Sequence, residues 1–225
     1  MLLEMTRAAQ TGLRKERHYE LITNHLANAH TPGYKREILS FDQMMKASLS
    51  TDFSDGDVRQ TGNKLDLALR GEGFFKIQTP EGFRYTRNGN FSLNAEGVLV
   101  TQNGNPVLGD GGVVTIQGKD VNINENGNIF VDGAETGNVL VVNFQDKQLL
   151  EKKGASLFAF NGNPLNEEVV DNVRVVQGGL EAANLSTVKE MTKMIETHRL
   201  YDTAQKMMKT IDELDGKANS MGAAL

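Results

Sequence analysis

The 225-residue chain has no cysteine, no tryptophan and only four prolines. Without cysteine there can be no disulfide, no thiol chemistry and none of the usual thiolate ligands of structural zinc. That suits a cytoplasmic chain, and equally an exported chain that must never form a wrong bridge. Aromatic residues make up 6%, with four tyrosines. A glycan- or peptide-binding module on a helical stalk would need exposed aromatics, and two of the tyrosines, Tyr19 and Tyr201, fall in the terminal segments. Positive charge is not in excess: 24 Lys and Arg stand against 29 Asp and Glu, mixed along the chain, for a net charge of -5. With no basic face, nucleic acid is not an expected partner. No apolar run approaches the ~20 residues that span a bilayer. The opening MLLEMTRAAQ puts Glu4 and Arg7 where a cleaved secretory signal would carry its apolar stretch, so the expectation is a chain without one.

What the chain does have is a repeated spacing at its two ends. Met5, Gly12, Tyr19 and Leu26 lie seven apart, with Leu2 and Ala9 offset by three. Met194, Tyr201 and Met208 lie seven apart, with Ala204, Ile211 and Ala218 offset by three. Sevens with an offset of three are the spacing of a seam between packed helices. Both helices fall outside the sequence span of the middle, so their stripes must be buried against each other or against other subunits. The first helix is expected over 3–28. His30-Thr31-Pro32-Gly33 ends it, because proline disfavours helical dihedrals before it and glycine accepts positive φ. The second should open on a capping box, with Thr187 as cap and Glu190 reaching back.

Between the helices the pattern changes. Residues 34–64 have no clear period and read as an extended linker, exposed around 48–57. From Leu65, short apolar runs follow one another: 74–77, 83–85, 98–100, 113–116, 121–123, 129–131, 139–144, 156–160 and 173–176. Asn-Gly and Asp-Gly dipeptides punctuate them, and these suit two-residue hairpins. Leu65, Leu67 and Leu69 alternate with Asp66, Ala68 and Arg70, as in a strand with one wetter face. The fold class is therefore α+β: N- and C-terminal helices around a central, mostly antiparallel β domain. The expected divisions are 1–33, 34–64, 65–180 and 181–225.

Chemical constellations were sought in the same residues. Gly71-Glu72-Gly73 follows a strand, but Lys76 stands where a dinucleotide loop needs its third glycine, and 74–76 reads as strand. It is better read as a tight corner. His18, His25, His30 and His198 include no i, i+4 pair, and read as surface or packing residues. Asp52, Asp55 and Asp57 lack the distal glutamate of a calcium loop. There is no Gly-x-Ser-x-Gly elbow. No catalytic, cofactor-binding or metal residue is expected, and no enzyme.

Asn24-His25-Leu26-Ala27-Asn28-Ala29-His30-Thr31-Pro32-Gly33-Tyr34-Lys35-Arg36 resembles the N-terminal motif of bacterial flagellar axial proteins, the rod and hook family. The matching positions are Asn24, Leu26, Ala27, Asn28, Thr31, Gly33, Tyr34 and Lys35. Residues 60–69, 85–91, 106–112 and 180–186 resemble further family segments, as do 191–194 and 211–213. The stretches 107–112 and 206–213 look most like the proximal-rod branch, with the distal-rod branch next. His25, the short linker and the opening residues depart from the family pattern. The resemblance implies a subunit exported unfolded by the flagellar type III apparatus and assembled with itself and other rod proteins into a helical tube in the periplasm. Its terminal helices would form an inner coiled-coil-like layer and its β domain an outer one, with no cofactor and no small-molecule substrate. It also implies helices that are disordered in the free monomer.

Overall fold

The computed structural model describes residues 2–42, 46–163, 166–170 and 174–222; helical side chains are described at Thr6, from Ala9 onward in the first helix and as far as Leu214 in the second. The chain forms two compact units. One gathers Met1–Asn28, Leu39–Ser48 and Leu185–Leu225; the other gathers Ala29–Ile38 and Leu49–Asn184.

The first unit is built on two helices, α1 (Leu2–Ala27) and α2 (Thr187–Gly222). They pack against each other and run antiparallel: His25 meets Glu190, the Tyr19 ring lies 6.1 Å from that of His198, and Met208 Cε lies 4.0 Å from where a Cβ on Gly12 would sit. At the end of α1 the Asn28 side chain donates to the Asn24 carbonyl (2.9 Å), so an orphan acceptor of the last turn is satisfied. The capping box is displaced by one residue from the expected place. The Glu190 N–H donates to the Ser186 carbonyl (2.9 Å), which puts Ser186 at the cap and Thr187 inside the helix. Glu190 is then one position too deep to reach back, and its carboxylate turns to His25 and Lys193 instead. Within the same unit, Phe41 sets its ring against His18 (5.9 Å) and beneath the Arg14 guanidinium (5.1 Å).

The second unit is mostly antiparallel β. Its largest sheet has six strands in the order 150–152, 157–160, 82–86, 74–79, 141–144 and 167–169. Smaller ladders pair 121–123, 128–131 and 134–138, and join 67–70 to 174–177 and 58–60 to 179–181. Neighbouring residues on a strand face opposite ways, and here both faces are covered. Phe75 and Val141 join one apolar cluster with Leu67, Ile77 and Leu99; Phe74 and Val142 join another with Tyr85, Phe144 and Phe158. The same double covering removes the wetter face expected at 65–70: Leu67, Ala68 and Leu69 are all buried, Asp66 is buried too, and Arg70 alone of strand 67–70 is exposed.

Turn chemistry follows glycine. Asp132-Gly133 has both φ values positive, 50° and 87°, and closes a hairpin as expected. Gly71 and Gly73 (φ 91° and 150°) make the tight corner. Asn88-Gly89 differs from expectation. Gly89 is required by close approach, since a Cβ there would lie 1.7 Å from the Leu67 carbonyl oxygen. The stretch 34–64, expected as a linker, carries strands Glu37–Phe41, Ala47–Thr51 and Val58–Gln60. Val173, in the expected strand 173–176, lies outside the described residues.

Candidate functional site

Two arrangements stand out, one in each unit. In the helical unit, the residues expected at a seam fall as follows. Gly12 and Ala204 are buried; Ala9, Tyr19, Leu26, Met194, Tyr201, Met208 and Ile211 are half-buried. The side chains of Met5 and Ala218 lie outside the described residues. The centre of the seam holds residues that the spacing of apolar side chains missed. On α2, Glu190, Thr197 and Ala204 lie seven apart and are all buried, and Ile211 continues the row. On α1, Ile22 and His25 are buried. The signal was present as a period of seven, but two of its members are polar. Glu190 Oε2 lies 3.2 Å from His25 Nδ1, and Oε1 accepts from Lys193 (2.7 Å). Burial pushes the Glu190 carboxyl up, but Lys193 and His25 together outweigh it and hold the group below the usual carboxylate value.

The seam does not use all the apolar surface of α2. Val188, Met191 and Ile195, at spacings of three and four, are exposed along one flank of the helix, Val188 by 74%. Leu200, Met207 and Leu214, seven apart, are exposed along another. At ~100° of turn per residue, these two rows lie on either side of the buried one.

In the β unit, the end of the Asn24–Arg36 motif is locked by buried charge. Gly33 has φ +65°, and its N–H donates to the Glu181 carbonyl (2.8 Å); a Cβ there would lie 2.3 Å from the Asn88 nitrogen. Lys35 is 1% exposed, and its Nζ donates to Glu181 Oε1 (2.7 Å) and the Ser54 carbonyl (2.6 Å). Glu181 Oε1 also accepts from the Gly56 N–H (2.9 Å). Arg87, fully buried, donates to the carbonyls of Gly71 (2.8 Å) and Gly73 (2.9 Å) and pairs with Asp55. Its Nε stands 3.2 Å from Glu181 Oε2, within ion-pair reach but not aligned as a hydrogen bond. Asn184 accepts from the Arg36 N–H (2.8 Å) and donates to the Asp52 carbonyl (2.8 Å). Asp52 and Asp55, read from sequence as a solvated linker, are therefore ordered by this lock. Asp52 pairs with Arg36, and Asp55 with Arg87.

Two cations and two anions thus balance in the cluster. Burial pushes the Lys35 ammonium below its usual value, Glu181 pulls it back and Arg87 adds to the lowering. Beside it, Lys152 donates to the Lys35 carbonyl (2.7 Å) and sits 4.1 Å over the buried Tyr34 ring. The sequence singled out Gly33, Tyr34 and Lys35, but not their partners Glu181 and Arg87. Of the other motif positions, Asn24 and Ala27 are exposed, and Leu26, Asn28 and Thr31 are half-buried. Every polar atom of the cluster named here faces protein, so the arrangement fixes backbone and offers no group to a substrate.

A filled β core beside a helix pair with uncovered apolar flanks is the build of a structural protein that assembles. Comparison with known proteins makes this specific. A profile described as the flagellar hook protein FlgE/F/G D1 domain matches residues 68–131, and one described as the flagellar basal body rod FlgEFG protein C-terminal matches 176–221. The chain is 34% identical to the flagellar basal-body rod protein FlgF of Caulobacter vibrioides, covering 95% of this chain and 97% of that one. It is 30% identical to FlgF of Mesorhizobium japonicum (96% and 95% covered) and 27% identical to FlgG of Buchnera aphidicola subsp. Schizaphis graminum (95% and 97%). The chain belongs to the flagellar basal-body rod protein family. It is a structural subunit of the rod and not an enzyme.

Proposed function

We propose that the subunit polymerises through its two helices, with itself and with other rod proteins, into the helical axial shaft that carries motor torque. In this reading α1 and α2 form a coiled-coil-like inner layer and the β unit an outer one. The divisions are those expected from sequence, 1–33 and 181–225 for the inner layer and 65–180 for the outer. The assembly residues are Met5, Ala9, Gly12, Tyr19, Leu26, Met194, Tyr201, Ala204, Met208 and Ile211. The observation that carries the reading is the pair of exposed apolar rows on α2, Val188/Met191/Ile195 and Leu200/Met207/Leu214. A head-to-tail contact that covers such rows without closing a ring generates a helical filament. Export through the flagellar type III apparatus, without cleavage, and assembly in the periplasm belong to the same reading.

Within the family we assign the chain to the FlgF-type subunits. Its identity to the two FlgF proteins is 34% and 30%, against 27% for the Buchnera FlgG. A distal-rod or hook-type role is the alternative, and restoring swimming to strains that lack one subunit each decides between them. The assembly reading is tested by deleting residues from Ser186 onward. The β unit is expected to stay folded while the protein is lost from isolated basal bodies and swimming stops. Normal swimming by that truncation would overturn the proposal.

A further inference from the structure

The helical unit contains a surface groove that the seam leaves unused. Leu13, Arg14 and Arg17 of α1 form one wall, and Phe41, Lys46 and Ala47 form the other, around about 400 Å³. The second wall is pinned to α1 by the contacts of Phe41 with His18 and Arg14. The Asp42 carboxylate accepts from the Lys46 N–H (2.7 Å), which holds the backbone there. The groove is thus apolar at its base, where Leu13 and Phe41 lie, and cationic at its rim, through Arg14, Arg17 and Lys46. Leu13 is 61% exposed.

The exposed tail end of α2 has the opposite character. Asp212 and Glu213 are exposed and flank Leu214, itself 56% exposed. An apolar side chain between two carboxylates matches an apolar base between three cations. Complementarity of this kind selects a partner and fixes its register. We propose that the groove receives the Asp212-Glu213-Leu214 segment of a second copy of this chain: Leu214 enters between Leu13 and Phe41, and the carboxylates meet Arg14, Arg17 and Lys46. The contact uses different surfaces on the two copies, so it is heterologous and repeats from copy to copy. The proposal rests on the rod-subunit reading and names one of its contacts.

The absence of cysteine makes a direct test possible. Two singly substituted full-length proteins, Lys46→Cys and Glu213→Cys, are mixed at assembling concentration and oxidised. A disulfide-linked heterodimer is expected, in several-fold excess over a mixture of Lys46→Cys with Thr136→Cys, whose cysteine lies on the β unit. Reversing charge on one side, with Arg17→Glu, is expected to lower the yield several-fold. Adding Asp212→Lys on the other side is expected to restore it. A cross-link only within a doubly substituted chain would overturn the proposal. So would a cross-link from Lys46→Cys to a different rod protein and none to Glu213→Cys. If Arg17→Glu still enters basal bodies and supports swimming, the groove contact fails while the rod reading stands. Swimming by the Ser186 truncation would sink the rod reading itself.

Discussion

The two units of this chain bury very different things. The β unit closes both faces of a six-stranded sheet with aromatic and branched side chains: Phe75, Ile77, Leu99, Val142 and Phe158 have no exposed surface. In the helical unit, among the described residues, the buried apolar side chains are Ile22 and Ala204, joined by His25, Glu190 and Thr197. Burying an apolar side chain contributes ~1.5–3 kcal/mol, while ordering a residue costs ~1–2 kcal/mol in backbone entropy. The β unit therefore has the makings of independent stability, and the helix pair has little. The difference explains how one chain can be both a folded part and a polymerising one. One unit satisfies itself, and the other keeps its apolar rows for neighbours.

The largest effects should come from attacking the self-sufficient unit. Phe75→Ala removes a fully buried ring that meets Phe91 edge-on at 5.2 Å, and is expected to cost about 3–5 kcal/mol, read as a shift in chemical denaturation. Glu181→Gln should cost a comparable amount, about 3–5 kcal/mol, because it leaves the Lys35 and Arg87 charges buried without their shared anion. Equal stability of that variant and the parent would show that the cluster is not a lock. Gly33→Val comes next. It demands positive φ of a β-branched residue and sets a Cβ against the Asn88 backbone, at a cost of a few kcal/mol. It is expected to damage assembly more than export, and unaffected swimming would contradict this.

How much of this could be read in the sequence follows the same division. Local signals were legible: the ends of α1 and α2, the Asp132-Gly133 hairpin, the corner at 71–73 and the β character of the middle. Residues 34–64 were not, because their strands pair over long separations, as Val58–Gln60 does with Gly179–Glu181, and no local period announces such a partner. The charge lock was half legible. Gly33, Tyr34 and Lys35 stand in a motif, but Glu181 and Arg87 are ordinary charged residues until the fold buries them. The seam row at 190, 197 and 204 was hidden for a related reason, since a search for apolar sevens passes over a glutamate and a threonine.

The helical unit yields smaller effects, and pH probes one of them. Glu190 has its carboxyl held below the ordinary 4.5 by Lys193 and His25 acting against burial. Between the folded value and 4.5 the unfolded chain binds more protons, so stability falls as pH falls. The contribution is fully present above pH 4.5 and is lost as pH drops through the folded value. Helix-pair content, followed by circular dichroism as pH is lowered from 6 to 3, is expected to decline more in the parent than in Glu190→Gln, which has no carboxylate there to protonate. Identical acid profiles would remove Glu190 from the account.

The smallest expected change is the most diagnostic of the comparison. Met191→Ala and Ile195→Ala alter exposed side chains on a flank of α2 that touches neither the seam nor the β core. Surface substitutions of this kind usually stay within ~0.5 kcal/mol, so the monomer should denature as the parent does. If the rows are kept for neighbouring subunits, the same double variant should nonetheless be depleted from basal bodies, because the area it removes is buried only on assembly. Loss of monomer stability by several kcal/mol would mean that the flank belongs to the chain's own core. Unchanged incorporation would mean that the exposed row meets nothing. Either result would erase the distinction between a unit that completes itself and one that waits for partners.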